Sequence, residues 1–186
     1  MRVISGKFKG KKILTPKDKT TRPLKDLTKE SIFNIITHSN KFNIQLQNSN
    51  VLDLFSGVGS FGLECLSRGS SYVIFVENYK EVLLILKNNI SNMNFQENVL
   101  VIEKDIIENL DFDQIKQRID IIFMDPPYKE KNLSKLLIKI KKAKILSQEG
   151  IVIIHRHKKE NDTFPKNFKI FEEKIYGISK VIFGYF

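Results

Sequence analysis

Between residues 50 and 154 the chain repeats one pattern: a run of four to six mostly apolar residues, then a segment with helical spacing of its apolar positions. The runs are Asn50–Leu54, Tyr72–Val76, Val99–Ile102, Ile119–Met124 and Gly150–Ile154, and the spacing predicts helices over 60–67, 79–92 and 132–143. Strands that are apolar on both sides must be covered on both sides, which is the condition of a parallel sheet between helical layers. An α/β fold follows. The end of the chain departs from the pattern, because Phe168-Lys169-Ile170-Phe171 and Ser179–Phe183 are joined through Tyr176-Gly177 with no room for a helix. An antiparallel pair is therefore expected to close the sheet.

Upstream, Val3-Ile4 and Lys11–Leu14 flank Gly6 and Gly10, which predicts a short hairpin ending at Thr15-Pro16. Apolar residues at helical spacing then predict a helix from Asp26 to about His38. The polar stretch 39–50 marks a boundary, so the expected organisation is a basic N-terminal extension over 1–45 and a main domain over 46–186. At 186 residues the chain fits one catalytic unit with a small appendage. No apolar run approaches the ~18 residues of a membrane-spanning helix. The start is Lys-rich where an export signal would be apolar, and a cytosolic location is expected. A single cysteine, Cys65, excludes an internal disulfide and a Cys-rich zinc site. His38, His155 and His157 lack suitably spaced companions, and no metal is expected.

The net charge of +10 is unevenly placed. Residues 1–30 hold ten Lys/Arg against three Asp/Glu, and residues 129–144 hold seven Lys against one Glu. Residues 31–128 hold seven basic against twelve acidic residues. Basic blocks around an acidic middle suit a polyanion lying across a site, held by phosphate contacts. Nucleic acid is the expected partner; a solvated lysine-rich surface is the plainer alternative.

Four motifs fall at the ends of the predicted strands, where a doubly wound sheet binds its ligand. Asp53-Leu54-Phe55-Ser56-Gly57-Val58-Gly59 places two glycines where backbone approaches a cofactor, and Gly62 is out of step with a dinucleotide fingerprint. Glu77, 24 residues after Asp53, can accept hydrogen bonds from ribose hydroxyls or serve as a helix N-terminal charge. Asp105 can meet an adenine amino group or cap a helix. Asp125-Pro126-Pro127-Tyr128 is the most specific. Its prolines stiffen the loop, and Pro127 has no N–H to occupy a neighbouring carbonyl. The Asp125 carboxylate and Pro126 carbonyl are then placed to accept both hydrogens of an amino group, with Tyr128 as a stacking face for a base. No dedicated base is evident.

In this order and spacing the motifs resemble class I S-adenosylmethionine methyltransferases of the amino-methylating branch. The opening Arg2-Val3-Ile4-Ser5-Gly6 with Lys9-Gly10-Lys11, then Arg22-Pro23 and Glu30-x-x-Phe33-Asn34, resembles the bacterial RsmD family. The resemblance runs through essentially the whole chain. It implies a Rossmann-like, seven-stranded, mostly parallel sheet and methylation of the exocyclic amine of one guanine in 16S rRNA of the small ribosomal subunit. It also implies cofactor contacts from Asp53, Phe55, Gly57, Gly59, Glu77, Asp105, Ile106 and Asp125, and catalytic roles for Asp125, Pro126, Pro127 and Tyr128. Arg2, Lys9, Lys11, Arg22 and Tyr128 are expected at the RNA, and a monomer is expected. The chain departs from the family in carrying Leu24, Lys25, Leu27 and Lys29 where threonines and then arginines commonly follow Arg-Pro, and Lys lacks the planar fork that grips phosphate. Where the family often has a Glu, Ile154-His155-Arg156-His157 stands, either at phosphate or on solvated surface. DNA adenine methylation, glutamine methylation in a protein and a non-enzymatic binding role are the competing readings.

Overall fold

The computed structural model describes residues 1–16, 24–108, 110–127 and 129–186, so Arg22 and Tyr128 lie outside the described residues. The helix predicted from Asp26 is α1, Asp26–His38. The alternating region follows as β1 (Asn50–Leu54), α2 (Ser60–Ser67), β2 (Tyr72–Val76), α3 (Lys80–Asn92), β3 (Val99–Ile102), β4 (Ile119–Met124), α4 (Leu133–Ala143) and β5 (Leu146–His157). Strands β6 (Lys169–Tyr176) and β7 (Ser179–Tyr185) complete the chain.

One seven-stranded sheet results, in the order β3-β2-β1-β4-β5-β7-β6. The first five strands are parallel, and β7 runs against both β5 and β6. The class I methyltransferase arrangement with its antiparallel C-terminal pair is thus observed. The order turns around between β1 and β4, which opens a crevice at their carboxyl ends. Strand β5 continues three residues beyond the predicted Ile154, because His155, Arg156 and His157 pair with Val181, Lys180 and Ser179 of β7. Polar side chains ended the apolar run, but backbone pairing does not stop at them.

Each strand sends alternate residues to opposite faces. Val51, Val73, Phe75, Ile121, Phe123 and Ile153 form one core with α1, α2, α3 and the N-terminal residues Val3 and Ile13. In this core Phe61 stacks between Phe33 and Phe123, with ring centroids 5.1 and 4.0 Å apart. Leu52, Leu54, Ile74, Ile122, Met124 and Ile154 form the other core with Leu133, Leu136, Leu137 and Ile140 of α4. The N-terminal segment and α4, which carry the two basic blocks, therefore cover opposite faces of the sheet. The second block does not form one surface with the first, and its last residue, Lys144, accepts a hydrogen bond from Arg118 beside the amino end of β4. Among the described residues no helix is long and apolar enough to cross a membrane.

The predicted hairpin is present as a single bridge, Arg2 with Lys12, supported by Val3 N–H to Lys11 carbonyl and Gly10 N–H to Val3 carbonyl, both 2.9 Å. So short a ladder needs other anchors. Glu64 of α2, fully buried, accepts the Ile4 and Ser5 N–H groups at 2.7 and 2.9 Å. Asn89 of α3, also fully buried, bonds both backbone groups of Leu14 and the carbonyl of Val58. Lys29 gives the third anchor. It is completely buried, donates to the Arg2 carbonyl at 2.8 Å and to Ser60 Oγ at 3.3 Å, and lies 3.5 Å from Glu64. Burial holds its ammonium below the usual lysine range, against the pull of Glu64. As part of a basic RNA-facing stretch Lys29 is therefore corrected: its charge is spent inside the protein.

Candidate active site

At the carboxyl ends of β1, β2 and β4 lies a cleft of about 1370 Å³. Asp53, Phe55, Gly57, Glu77, Asp105, Ile106, Asp125, Pro126 and Pro127 all line it. Phe55 and Asp125, 70 residues apart in sequence, meet here only because β1 sits between β2 and β4. Met1, Thr15, Pro16, Leu24 and Lys25 of the N-terminal segment form one rim.

The β1–α2 turn has a distinctive backbone. Phe55, Gly57 and Gly59 all have positive φ, at 59°, 54° and 85°, and for Phe55 this is a strained choice. The two glycines differ in purpose. A Cβ on Gly57 would meet nothing within 4 Å, so this residue keeps cleft wall open to a ligand. Gly59 is not among the cleft-lining residues: it begins α2, and a Cβ there would come within 2.5 Å of Leu86. Its requirement is the left-handed turn and tight packing on α3.

The carboxylates divide the remaining work. Glu77 accepts Gly57 N–H at 2.8 Å through one oxygen, and Asn78 and Tyr79 N–H at 2.9 and 3.0 Å through the other. It thereby ties the glycine turn to the start of α3, and its remaining lone pairs are open to hydroxyl donors. Asp105 accepts Ile107 and Glu108 N–H, both at 2.9 Å, and Asn78 Nδ2 at 2.9 Å. Asp105 thus closes the turn over 106–108, and the helix that its capping alternative required is not found among the described residues between β3 and β4. Asn78 and Tyr79, which line the cleft beside these acids, were not singled out from the sequence.

Asp53 is 1% exposed and accepts Gly62 N–H at 3.0 Å. Burial pushes its carboxyl well above the usual range, and the charges of Asp125 and Glu77 push the same way, against the Gly62 hydrogen bond. A raised folded-state value means that this group favours the folded state most below its unfolded value, and that the benefit is lost as pH rises through the folded one. Asp53→Asn keeps an acceptor for Gly62 and removes that penalty. Its melting temperature is expected to exceed that of the wild type at pH 8, with the gap closing toward pH 4; a gap that widens on acidification would contradict this account.

The β4–α4 loop is braced from β5. Pro127 carbonyl is occupied, accepting Glu130 N–H at 2.8 Å and Arg156 at 3.1 Å. Arg156 also donates to the Glu130 carbonyl at 2.9 Å and is paired with Asp162 at 2.9 Å. It is 1% exposed, so the phosphate-contacting or solvated role read for it is corrected: it holds the loop from beneath. His155, 7% exposed, bonds Asp125 Oδ1 through Nδ1 at 2.8 Å, and is likewise neither solvated surface nor free for phosphate. The usable signal was two polar residues continuing a strand buried on both faces, where each needs a partner. Asp125 Oδ2 and the Pro126 carbonyl accept no hydrogen bond from the described residues. Two acceptors without a partner among the described residues thus belong to consecutive residues of a stiff loop that lines the cleft.

Arg2, Lys9 and Lys11 are exposed on the N-terminal segment, with Arg2 3.7 Å from Asp26. Among the described residues no group of three or more His, Cys, Asp or Glu side chains is arranged to hold a metal ion.

Comparison with known proteins agrees with this architecture. The model of the family described as conserved hypothetical protein 95 matches residues 1–185. Ribosomal RNA small subunit methyltransferase D of Buchnera aphidicola is 31% identical over 173 residues, covering 93% of this chain and 86% of that protein. The protein of the same name from Haemophilus influenzae is 28% identical, covering 96% and 90%. Among solved structures, a methyltransferase candidate, yhhF from Escherichia coli, superposes with a TM-score of 0.80 at 22% identity, covering 99% of this chain and 96% of that one. That likeness speaks for the fold, and the family match for kinship. With its motifs, its sheet and its full-length match in agreement, the chain belongs to the conserved hypothetical protein 95 family, the RsmD family that its sequence resembles.

Proposed function

We propose that this protein is an S-adenosylmethionine-dependent methyltransferase that methylates the exocyclic N2 amine of a guanine in 16S rRNA, acting as a monomer on the small ribosomal subunit in the cytosol. Its membership of the RsmD family and the names of its relatives support an rRNA methyltransferase. The observation that carries the chemistry is the pair of open acceptors, Asp125 Oδ2 and Pro126 carbonyl, beside a Pro127 carbonyl that is already filled.

The cleft fits the proposed donor in two respects. Gly57 leaves space where a side chain would intrude, and Glu77, Asp105 and Asp125 give the cleft an acidic wall suited to a cation. Glu77 is assigned the ribose hydroxyls, Asp105 the adenine amine, and Ile106 and Phe55 the adenine faces. S-adenosylmethionine bound there would supply an electrophilic methyl group on a positively charged sulfur.

The protein's own part is positioning. An aryl amine delocalises its lone pair into the ring and is a poor nucleophile. Asp125 and Pro126, each accepting one of its hydrogens, favour a pyramidal nitrogen whose lone pair is free for in-line attack. The proton that the methylated nitrogen releases is assigned to the Asp125 carboxylate that holds it or to solvent. Tyr128 is assigned the stacking face for the base, and Arg2, Lys9, Lys11 and Arg22 phosphate contacts.

The test is transfer of labelled methyl from S-adenosylmethionine to small subunits from cells lacking this protein, with naked rRNA, duplex DNA and a release factor alongside. Label at one guanine N2 of 16S rRNA is the expected result. Label in DNA or protein alone would overturn the substrate assignment, and no transfer to any of the four would overturn the enzymatic one.

A further inference from the structure

We propose that His155 is a positioning residue for the methyl-transfer reaction: its Nδ1–H holds Asp125 Oδ1, so that Oδ2 is the oxygen presented to the substrate amine. The inference rests on the function proposed above and assigns a part to a residue whose type departs from the acid that the family often carries there.

A carboxylate accepts and does not donate, so the 2.8 Å contact puts a proton on Nδ1. Nε2 is buried and has no hydrogen-bond partner among the described residues. The ring's polar engagement is therefore with Asp125, and it keeps an unpaired nitrogen out of water to make it. Such an arrangement is unfavourable for stability, which argues against a purely structural origin.

What the bond achieves follows from the torsional freedom of aspartate. The χ2 barrier of an Asp side chain is low and its wells are broad, so an untethered carboxylate exchanges its two oxygens and swings between them. His155 is a rigid counterpart. Its backbone pairs with Val181 in the sheet and its ring is packed, so the ring cannot follow the swing. One residue on, Arg156 points to the other face of β5 and holds the carbonyls of Pro127 and Glu130. The two side chains together fix both the carboxylate and the backbone of the loop that carries Pro126. His155 bonds Asp125 at the end of β4 and is paired across the sheet with Val181 of β7, while Ser179 lines the same cleft.

Three substitutions separate the atoms. His155→Asn puts an amide nitrogen near the position of Nδ1, His155→Gln puts one near Nε2, and His155→Phe keeps bulk with no donor. In single-turnover methyl transfer to small subunits, the Phe and Gln variants are expected to lose about 10–100-fold in kcat, the range for groups that orient a reactive ligand. KM for the subunit and the affinity for S-adenosylhomocysteine should be unchanged, and Asn should restore most of the rate. A Gln variant as active as Asn, or a Phe variant at the wild-type rate, would overturn the proposal. Imidazole nitrogen NMR of the unliganded protein reads the same bond without any turnover. An Nδ1-protonated ring whose Nδ1 signal shifts in Asp125→Ala, where the acceptor is gone, supports the proposal, and an Nε2-protonated tautomer overturns it. If the wild type methylates nothing, the proposed function fails while this spectrum still decides the His155–Asp125 bond.

Discussion

Asp125→Ala is expected to cut the single-turnover rate of methyl transfer by about 10²–10³-fold, the range for removing one preorganised group that stabilises developing charge. The affinity for the cofactor product should change little, since Glu77, Asp105 and the Gly57 backbone remain. Asp125→Asn is the more informative variant. The His155 Nδ1–H will select the amide oxygen, which turns the amide NH₂ toward the incoming amine and sets donor against donor. Asn is therefore expected to be almost as inactive as Ala, although it preserves shape. Chemical-quench kinetics with labelled donor on small subunits would measure both. A rate within tenfold of the wild type for either variant would remove Asp125 from the chemistry.

Glu64→Ala is expected to lower the unfolding free energy by about 3–5 kcal/mol, the cost of leaving one partner of a buried ion pair alone. Glu64 is fully buried and receives Ile4 N–H, Ser5 N–H, Arg68 Nε at 2.8 Å and the nearby Lys29 ammonium. The variant strands a buried cation and two amides together. Lys29→Met should cost much less, because the acid keeps Arg68 and both amides and the added apolar bulk fills the space. Urea unfolding of the two variants checks the order, and a Lys29→Met loss equal to that of Glu64→Ala would show that the cation, not the acid, organises the cluster. Because Leu24 and Lys25 border the cleft, detachment of the N-terminal segment in Glu64→Ala should also weaken cofactor binding.

The fold was legible because it is a consequence of short-range pattern. Val51-Leu52, Val73–Val76 and Ile121–Met124 are apolar at every position, and such runs cannot sit at a solvent-facing sheet. Asp125-Pro126-Pro127 was legible for a related reason: two prolines dictate the shape of their own loop. The same local reading gave Gly57 and Gly59 equal standing, whereas only contact with Leu86 of a different helix tells them apart. It placed Lys29 among surface lysines, since composition carries no sign of a buried acid 35 residues away. It also ended β5 at Ile154.

The sequence by itself determined the strand and helix order, the strand ends where ligands gather and the acceptor loop after β4, because each depends on residues within a few positions of one another. Only the tertiary structure decided which polar groups are spent and which remain open. Glu64 with Ile4, Asn89 with Leu14 and His155 with Asp125 are 60, 75 and 30 residues apart. A buried polar group must find a partner wherever the fold brings one, and that choice is written in the packing of the whole chain.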